Sequence, residues 1–225
     1  MGAIVNFLSI IVGGLIGLLL KKGISEKISS TVVKGVGLCV LLIGIKGVLE
    51  GINVLITIIS IVLGAIIGEL LDIDNAVNRL AKCAEDYINK KGGNVRFANG
   101  FVSATLLFAV GAMTIVGSLD SGLTGDNATL YTKSLLDGIS SIIFASSLGV
   151  GVLFSSIPIL IIQGGITLLA HYIAPLLTDT IIAEMTCVGS LIIIALALNL
   201  LDITKLKVAN YIPAIFIPIL LCQFM

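Results

Sequence analysis

Apolar residues in this chain are gathered into long blocks free of charge. A helix needs about 20 mostly apolar residues to cross the hydrocarbon core of a membrane. Residues 2–20, 51–68, 97–119, 185–201 and 208–225 each match one crossing. The stretch from Gly138 to Thr178 contains no Asp, Glu, Lys or Arg. It predicts two crossings, broken near Ser155-Ser156-Ile157-Pro158, where proline resists a continuing helix. A weaker block at 32–50 carries Lys46 and Glu50 towards its end. The pattern predicts an all-α polytopic membrane protein with eight transmembrane helices. Seven, with one long or re-entrant element in 138–178, is the alternative.

The one sizeable polar segment is 72–97. From Ile73, the residues Val77, Leu80, Ala84 and Ile88 recur at helical spacing, with Asp72 or Asp74 placed to cap the start. This predicts an amphipathic helix on the inner membrane surface, ended by the Gly92-Gly93-Asn94 turn. At the N-terminus, Lys21-Lys22 follow the apolar run instead of preceding it, which describes a retained helix and not a signal peptide. Cytoplasmic segments collect Lys and Arg. With the N-terminus outside, the inner segments 21–34, 72–97, 155–158 and 202–207 hold 11 of the 13 basic residues, leaving Lys46 and Lys133 outside. The expected organisation is one membrane domain over 1–225. It divides into a first helical repeat at 1–71, the interfacial segment at 72–97, central helices at 98–155 and a second repeat at 156–225.

Composition sharpens this reading. The chain has 225 residues, 57% hydrophobic and 12% charged, with 13 basic and 13 acidic side chains. So few charges cannot cover a soluble protein of this size. The balanced charge and the absence of Trp remove the case for nucleic acid, which needs a basic field and stacking platforms. Cys39, Cys83, Cys187 and Cys222 lack metal-ligand spacing, and His171 is the one histidine, so no metal site and no cofactor is expected. There is no Ser/His, paired-Asp or HExxH arrangement and no nucleotide-binding glycine pattern, and we expect no enzyme.

A weak internal repeat is present. Ser9, Gly13 and Gly17 recur as Ser60, Gly64 and Gly68. Gly13-Gly14-Leu15 and Leu18 recur as Gly164-Gly165-Ile166 and Leu169, and Val36-Gly37, Leu49 and Glu50 as Val188-Gly189, Leu201 and Asp202. Five crossings separate the matched helices, so they would run in opposite directions. That is the inverted-topology repeat of many secondary transporters.

Polar and small residues within the blocks mark where a solute could sit. Gly111, Thr114 and Gly117 suggest an interrupted helix, whose free backbone groups could hold an ion or carboxylate. Lys133 and Asp137 are one helical turn apart and can pair, and Ser141 extends the same stripe. Their place near the start of the fifth crossing argues for a shallow position. Gln163, with Gly164 and Gly165, lies deeper. Glu184 is close enough to a helix end for its carboxylate to reach the interface.

The runs from Leu107 to Gly122 and from Leu130 to Gly138, with Gln163-Gly164, Asn210 and Pro213, resemble the bacterial YdfK/YqgA-type membrane proteins, a family carried as a domain of unknown function. Asn6 in a Gly-rich first helix and Gly68-Glu69-Leu70-Leu71-Asp72 share the resemblance. It covers the whole chain and implies a polytopic protein of the bacterial cytoplasmic membrane, without a substrate or established site residues. The expected function is a secondary transporter for a small solute or ion. Its site would be formed by Gly111, Thr114, Gly117, Asp137, Ser141, Gln163, Gly164, Gly165 and Glu184, with a coupling cation or proton on Asp137 or, as the alternative, on Glu184. An oligomeric ion channel or a non-transporting structural protein are the rivals, and the expected partners are lipid, the solute and a possible second copy of the chain.

Overall fold

The computed structural model describes residues 1–21, 26–79 and 95–224, and among these there is no strand. The helices are α1 (Gly2–Lys21), α2 (Glu26–Val48), α3 (Val54–Leu71), α4 (Val95–Ala109), α5 (Ala112–Leu123), α6 (Ala128–Leu148), α7 (Gly151–Phe154), α8 (Ser156–Leu168), α9 (Ala170–Ile173) and α10 (Asp179–Leu200). A 3₁₀ helix (Val208–Phe216) and α11 (Pro218–Leu221) close the described chain. Residues 73–79 are helical; the rest of the expected interfacial helix, 80–94, lies outside the described residues.

Among the described residues five helices are long and apolar enough to cross a membrane: α1, α2, α3, the run Gly151–Leu168 and α10. The pair α4–α5, bent by 59° at its break, makes a sixth. Two further expected crossings correspond to elements of a different kind. Helix α6 has 21 residues but turns a polar face inward, and Val208–Leu221 is short.

Several boundaries differ from the sequence reading. The break expected near Ser155–Pro158 begins at Gly149, whose φ of 89° and ψ of −159° end α6 in a conformation costly for any residue with a Cβ. Pro158 sits inside the first turn of α8, where its missing N–H costs nothing. Helix α6 starts at Ala128, five residues before Lys133. Helix α10 starts at Asp179, capped by Thr178, whose hydroxyl accepts from the Ile181 amide. The block at 208–225 is mostly 3₁₀, with Pro213 inside it removing one amide donor.

Helix α10 is the centre of the bundle. Of its span 72% is buried, against 28–33% for the other four, and its inward residues include the polar Glu184, Thr186 and Ser190. Around it the helices pack by close backbone approach at glycines. Gly2 faces Leu130, Gly13 the Gly138 carbonyl and Gly17 the Ile142 carbonyl, so α1 and α6 run in the same direction. Gly37 faces Leu201, Gly44 faces Ile194 and Gly51 faces Cys187, so α2 runs against α10. Gly64 meets Ala214 and Gly68 meets Asn210, so α3 runs against the 3₁₀ helix. The outward faces are long apolar side chains, such as Leu135, Leu136, Ile139 and Ile143 on α6. That is the reverse of a soluble surface and what lipid requires.

Candidate functional site

Helix α6 brings Leu130, Lys133, Ser134, Asp137 and Ser141 to the interior at spacings of three and four. The opposite stripe faces lipid, so the polar residues are held inside by the apolar ones. Because α6 begins at Ala128, Asp137 lies nine residues into the helix, about 13 Å from its start at about 1.5 Å per residue. The charged pair therefore stands well inside α6 and not at its first turn.

Lys133 and Asp137 are 7% and 5% exposed. The Lys133 Nζ lies 3.0 Å from both Asp137 oxygens. From α1, fully buried Asn6 donates through Nδ2 to Asp137 Oδ2 at 2.9 Å and to Gln163 Oε1, on α8, at 3.1 Å. Three helices thus meet through one chain of four side chains. Two atoms of that chain have no partner: Asn6 Oδ1 and Gln163 Nε2. An orphaned polar atom in a membrane interior is costly, since hydrocarbon offers no substitute for water. Ser141 donates to the Asp137 carbonyl at 2.7 Å and takes no part in the chain.

The other expected site residues are placed elsewhere. Gly111 forms the break between α4 and α5 with φ of 125°. Thr114 closes that break by donating to the Phe108 carbonyl at 3.0 Å. Gly117 packs on Thr129 at the start of α6. Gly164 and Gly165 are half-buried on the side of α8 that carries exposed Ile157, Ile161 and Leu168, away from Gln163, and a methyl group added there would meet nothing within 4 Å. Glu184 is fully buried and distant in sequence and partners from Asp137. Its Oε1 accepts from the backbone amides of Ile52 and Asn53, at 2.8 and 2.6 Å, just before α3. The carboxylate thus sits at the positive end of a helix, and its other oxygen is unpartnered. Helix α10 starts five residues before it, so Glu184 lies in the second turn, turned inward onto the connection between α2 and α3.

Sequence reasoning undervalued Asn6 and Lys133. Asn6 stands among apolar residues four positions from the helix start, which reads as an end effect until α6 is seen to bring Asp137 beside it. Its signal was that it is the sole amide in an otherwise apolar block of 19 residues.

The broken pair α4–α5 carries three more buried hydroxyls without partners, Ser103, Thr105 and Ser118. Ser103 lies in the wall of a cavity of about 440 Å³ at the opposite end of the bundle, lined also by Asn78, Asn99, Asn199, Lys205 and Lys207. Asn199 fixes that wall by bonding Thr204 and both backbone groups of Leu206. At its edge Lys207 pairs with Glu69 at 2.6 Å, and this hydrogen bond holds the exposed ammonium above the ordinary lysine range. Asn210 donates to the other Glu69 oxygen and accepts from the Asp74 amide, tying α3 to residues 73–79. No group of three metal-ligating side chains occurs among the described residues.

The profile of a family described as "Protein of unknown function (DUF554)" matches residues 1–223. An "Uncharacterized protein YqgA" of Escherichia coli (strain K12) is 33% identical over 219 residues, 96% of this chain and 93% of that protein. An "Uncharacterized membrane protein YdfK" of Bacillus subtilis (strain 168) is 30% identical over 221 residues, again 96% and 93%. No solved structure gives a significant match.

Proposed function

The chain belongs to the DUF554 family, and from that footing and the site above we propose that this membrane protein is a secondary transporter for a small solute or ion. The observation that carries the reading is the buried Lys133–Asp137 pair with the orphaned amide atoms of Asn6 and Gln163 beside it. Ionisable groups inside membrane spans are costly and persist where they serve a pathway. The broken α4–α5 adds buried unpartnered hydroxyls on both sides of its break, Ser103 in the wall of the cavity at the other end and Ser118 beyond Gly111, which supports a solute passing along it.

The architecture of the reading is eight crossings with the N-terminus outside, in the bacterial cytoplasmic membrane. Helix directions support it. In alternating order α1 and α6 are crossings of the same sense, whereas α2 and α10, and α3 and the 3₁₀ helix, are of opposite sense, and each pair packs in that manner. At about 2.0 Å per residue for nine 3₁₀ residues, and about 1.5 Å for the rest, Val208–Leu221 extends roughly 25 Å, against a core of about 30 Å. The matched sequence pairs, α1 with α8 and α2 with α10, are also neighbours, an arrangement compatible with an in-plane pseudo-twofold passing between them.

Two cysteines introduced into an otherwise cysteine-free protein test the carrier. Ser103→Cys and Ser118→Cys are exposed in turn to a membrane-impermeant thiol reagent from each side of sealed vesicles. A carrier leaves Ser118→Cys open from the outside and Ser103→Cys from the inside, never both through one conformation. Simultaneous labelling of both from one side indicates a channel, and no labelling of either indicates a packed structural protein.

A further inference from the structure

The same site carries an assignment of solute class, which rests on the transport reading. The geometry points to a small monovalent anion of carboxylate size, taken up together with one proton that lands on Asp137.

The argument begins with charge. A site this buried tolerates little net charge, and Lys133 with Asp137 sums to zero. An incoming anion restores that sum if a proton arrives on the Asp137 carboxylate; an incoming cation restores it only if Lys133 loses its proton or leaves. The polar atoms decide between the two. Lys133 Nζ, Asn6 Nδ2 and Gln163 Nε2 are donors, against the Asp137 carboxylate and the unpartnered Asn6 Oδ1 as acceptors. A cation would gain that one neutral oxygen but sit against the Lys133 ammonium, the single full positive charge of the cluster. An anion would find the place the Asp137 carboxylate fills, between Lys133 Nζ at 3.0 Å and Asn6 Nδ2 at 2.9 Å, with the unpartnered Gln163 Nε2 as a further donor. Asp137 is in this sense an internal stand-in for the solute.

Two helix N-termini reinforce the preference. Asn6 lies four residues from the start of α1 and Lys133 five from the start of α6, and the two helices run in parallel, so both positive dipole ends lie on the same side of the cluster. Among the described residues no other ionisable side chain is bonded to the pair. Among elements packed on α6, α7 and α8 carry no ionisable side chain. Helix α1 has Lys21 at its far end and the Met1 amine before its start. Helix α5 has Asp120, α4 has Arg96 in its first turn, and α2 has Glu26, Lys27, Lys34 and Lys46. Among the described side chains, the partners of Asp137 are Lys133 and Asn6. When Asp137 takes the proton it releases the Lys133 ammonium and the Asn6 amide to the anion, so proton and anion are bound together or not at all.

The test uses full-length protein in liposomes loaded with a pH-sensitive dye and held at zero potential. Inward gradients of formate, lactate or nitrate are compared with gradients of Na⁺ or K⁺ gluconate, each against protein-free vesicles. The expected result is anion-dependent acidification of the lumen beyond the protein-free rate. It should quicken by roughly tenfold per pH unit on lowering the pH while the carboxyl is mostly ionised, and vanish in Lys133→Met. In Asp137→Asn, anion counterflow should persist without proton movement. Proton movement driven by the cation gradients, with anions inert, overturns the anion assignment and leaves a transporter standing. If no gradient moves protons and no anion raises the thermal stability of the wild-type protein, both readings fall.

Discussion

Separating Lys133 from Asp137 should show how strongly the cluster is bound into the fold. The two side chains are 7% and 5% exposed with both carboxylate oxygens 3.0 Å from Nζ, so neither charge can be rehydrated in place. Removing one member of such a pair costs about 3–5 kcal/mol, because the other is left buried and uncompensated. Asp137→Asn preserves shape and should incur that full cost. Lys133→Met should cost somewhat less, since the carboxylate keeps the Asn6 amide, a charge-assisted bond worth about 1.5–3 kcal/mol. The double variant has no charge to strand and should return to within about 1 kcal/mol of wild type. The coupling energy is then about 3 kcal/mol or more, far above the error of additivity. A chain of this length shifts its melting temperature by about 2–4 °C per kcal/mol, so thermal unfolding in mild detergent should show single-variant losses of roughly 6–20 °C, largely recovered in the double. Single variants that melt with wild type, or a double whose loss is the sum of the singles, would refute the claim that this is a buried, mutually dependent pair.

Gly68→Ala, which drives a methyl into the Asn210 backbone, should destabilise by about 1–3 kcal/mol; Gly164→Ala, which meets nothing, should be neutral or gain up to about 1 kcal/mol of helix propensity, both read by thermal unfolding. Glu184→Gln keeps an acceptor for the Ile52 and Asn53 amides and should cost about 1 kcal/mol, whereas Glu184→Ala orphans both and should cost about 2–4 kcal/mol, with faster proteolysis between α2 and α3. The Lys207–Glu69 pair raises the lysine above its ordinary value, so its small contribution is complete at neutral pH and lost as pH rises through the lysine range. Lys207→Gln should therefore melt slightly below wild type at pH 7, and the gap should close only as pH rises past the raised value of the folded-state lysine.

The hydrophobic blocks foretold the helices well, because a lipid-facing segment must be apolar along its whole length and leaves an unmistakable run. Helix α6 was legible as a crossing but not in its extent. Its inward face is Lys133, Ser134, Asp137 and Ser141, so the charge-free run starts only at Gly138, and the side chains that make it the site hid the ten residues of helix before it. The glycine pairs were legible as packing surfaces, though not in their partners. Asn6 and Gln163 are 157 residues apart, and no local pattern announces that α6 would draw them together. Gly164 and Gly165 show the converse: next to Gln163 in the chain, they turn to the other face, since neighbours on a helix do not share one.

The 3₁₀ winding of Val208–Phe216 has a mechanical consequence. A 3₁₀ helix turns about 120° per residue and an α-helix about 100°, with rises of about 2.0 and 1.5 Å. Every residue that rewound would pull the segment in by about 0.5 Å and rotate everything beyond it by about 20°. Over the nine residues that is a retraction of roughly 4–5 Å with half a revolution. The segment is a screw of fixed pitch, and its thread is held by Asn210 on Glu69 and by Ala214 seated on Gly64.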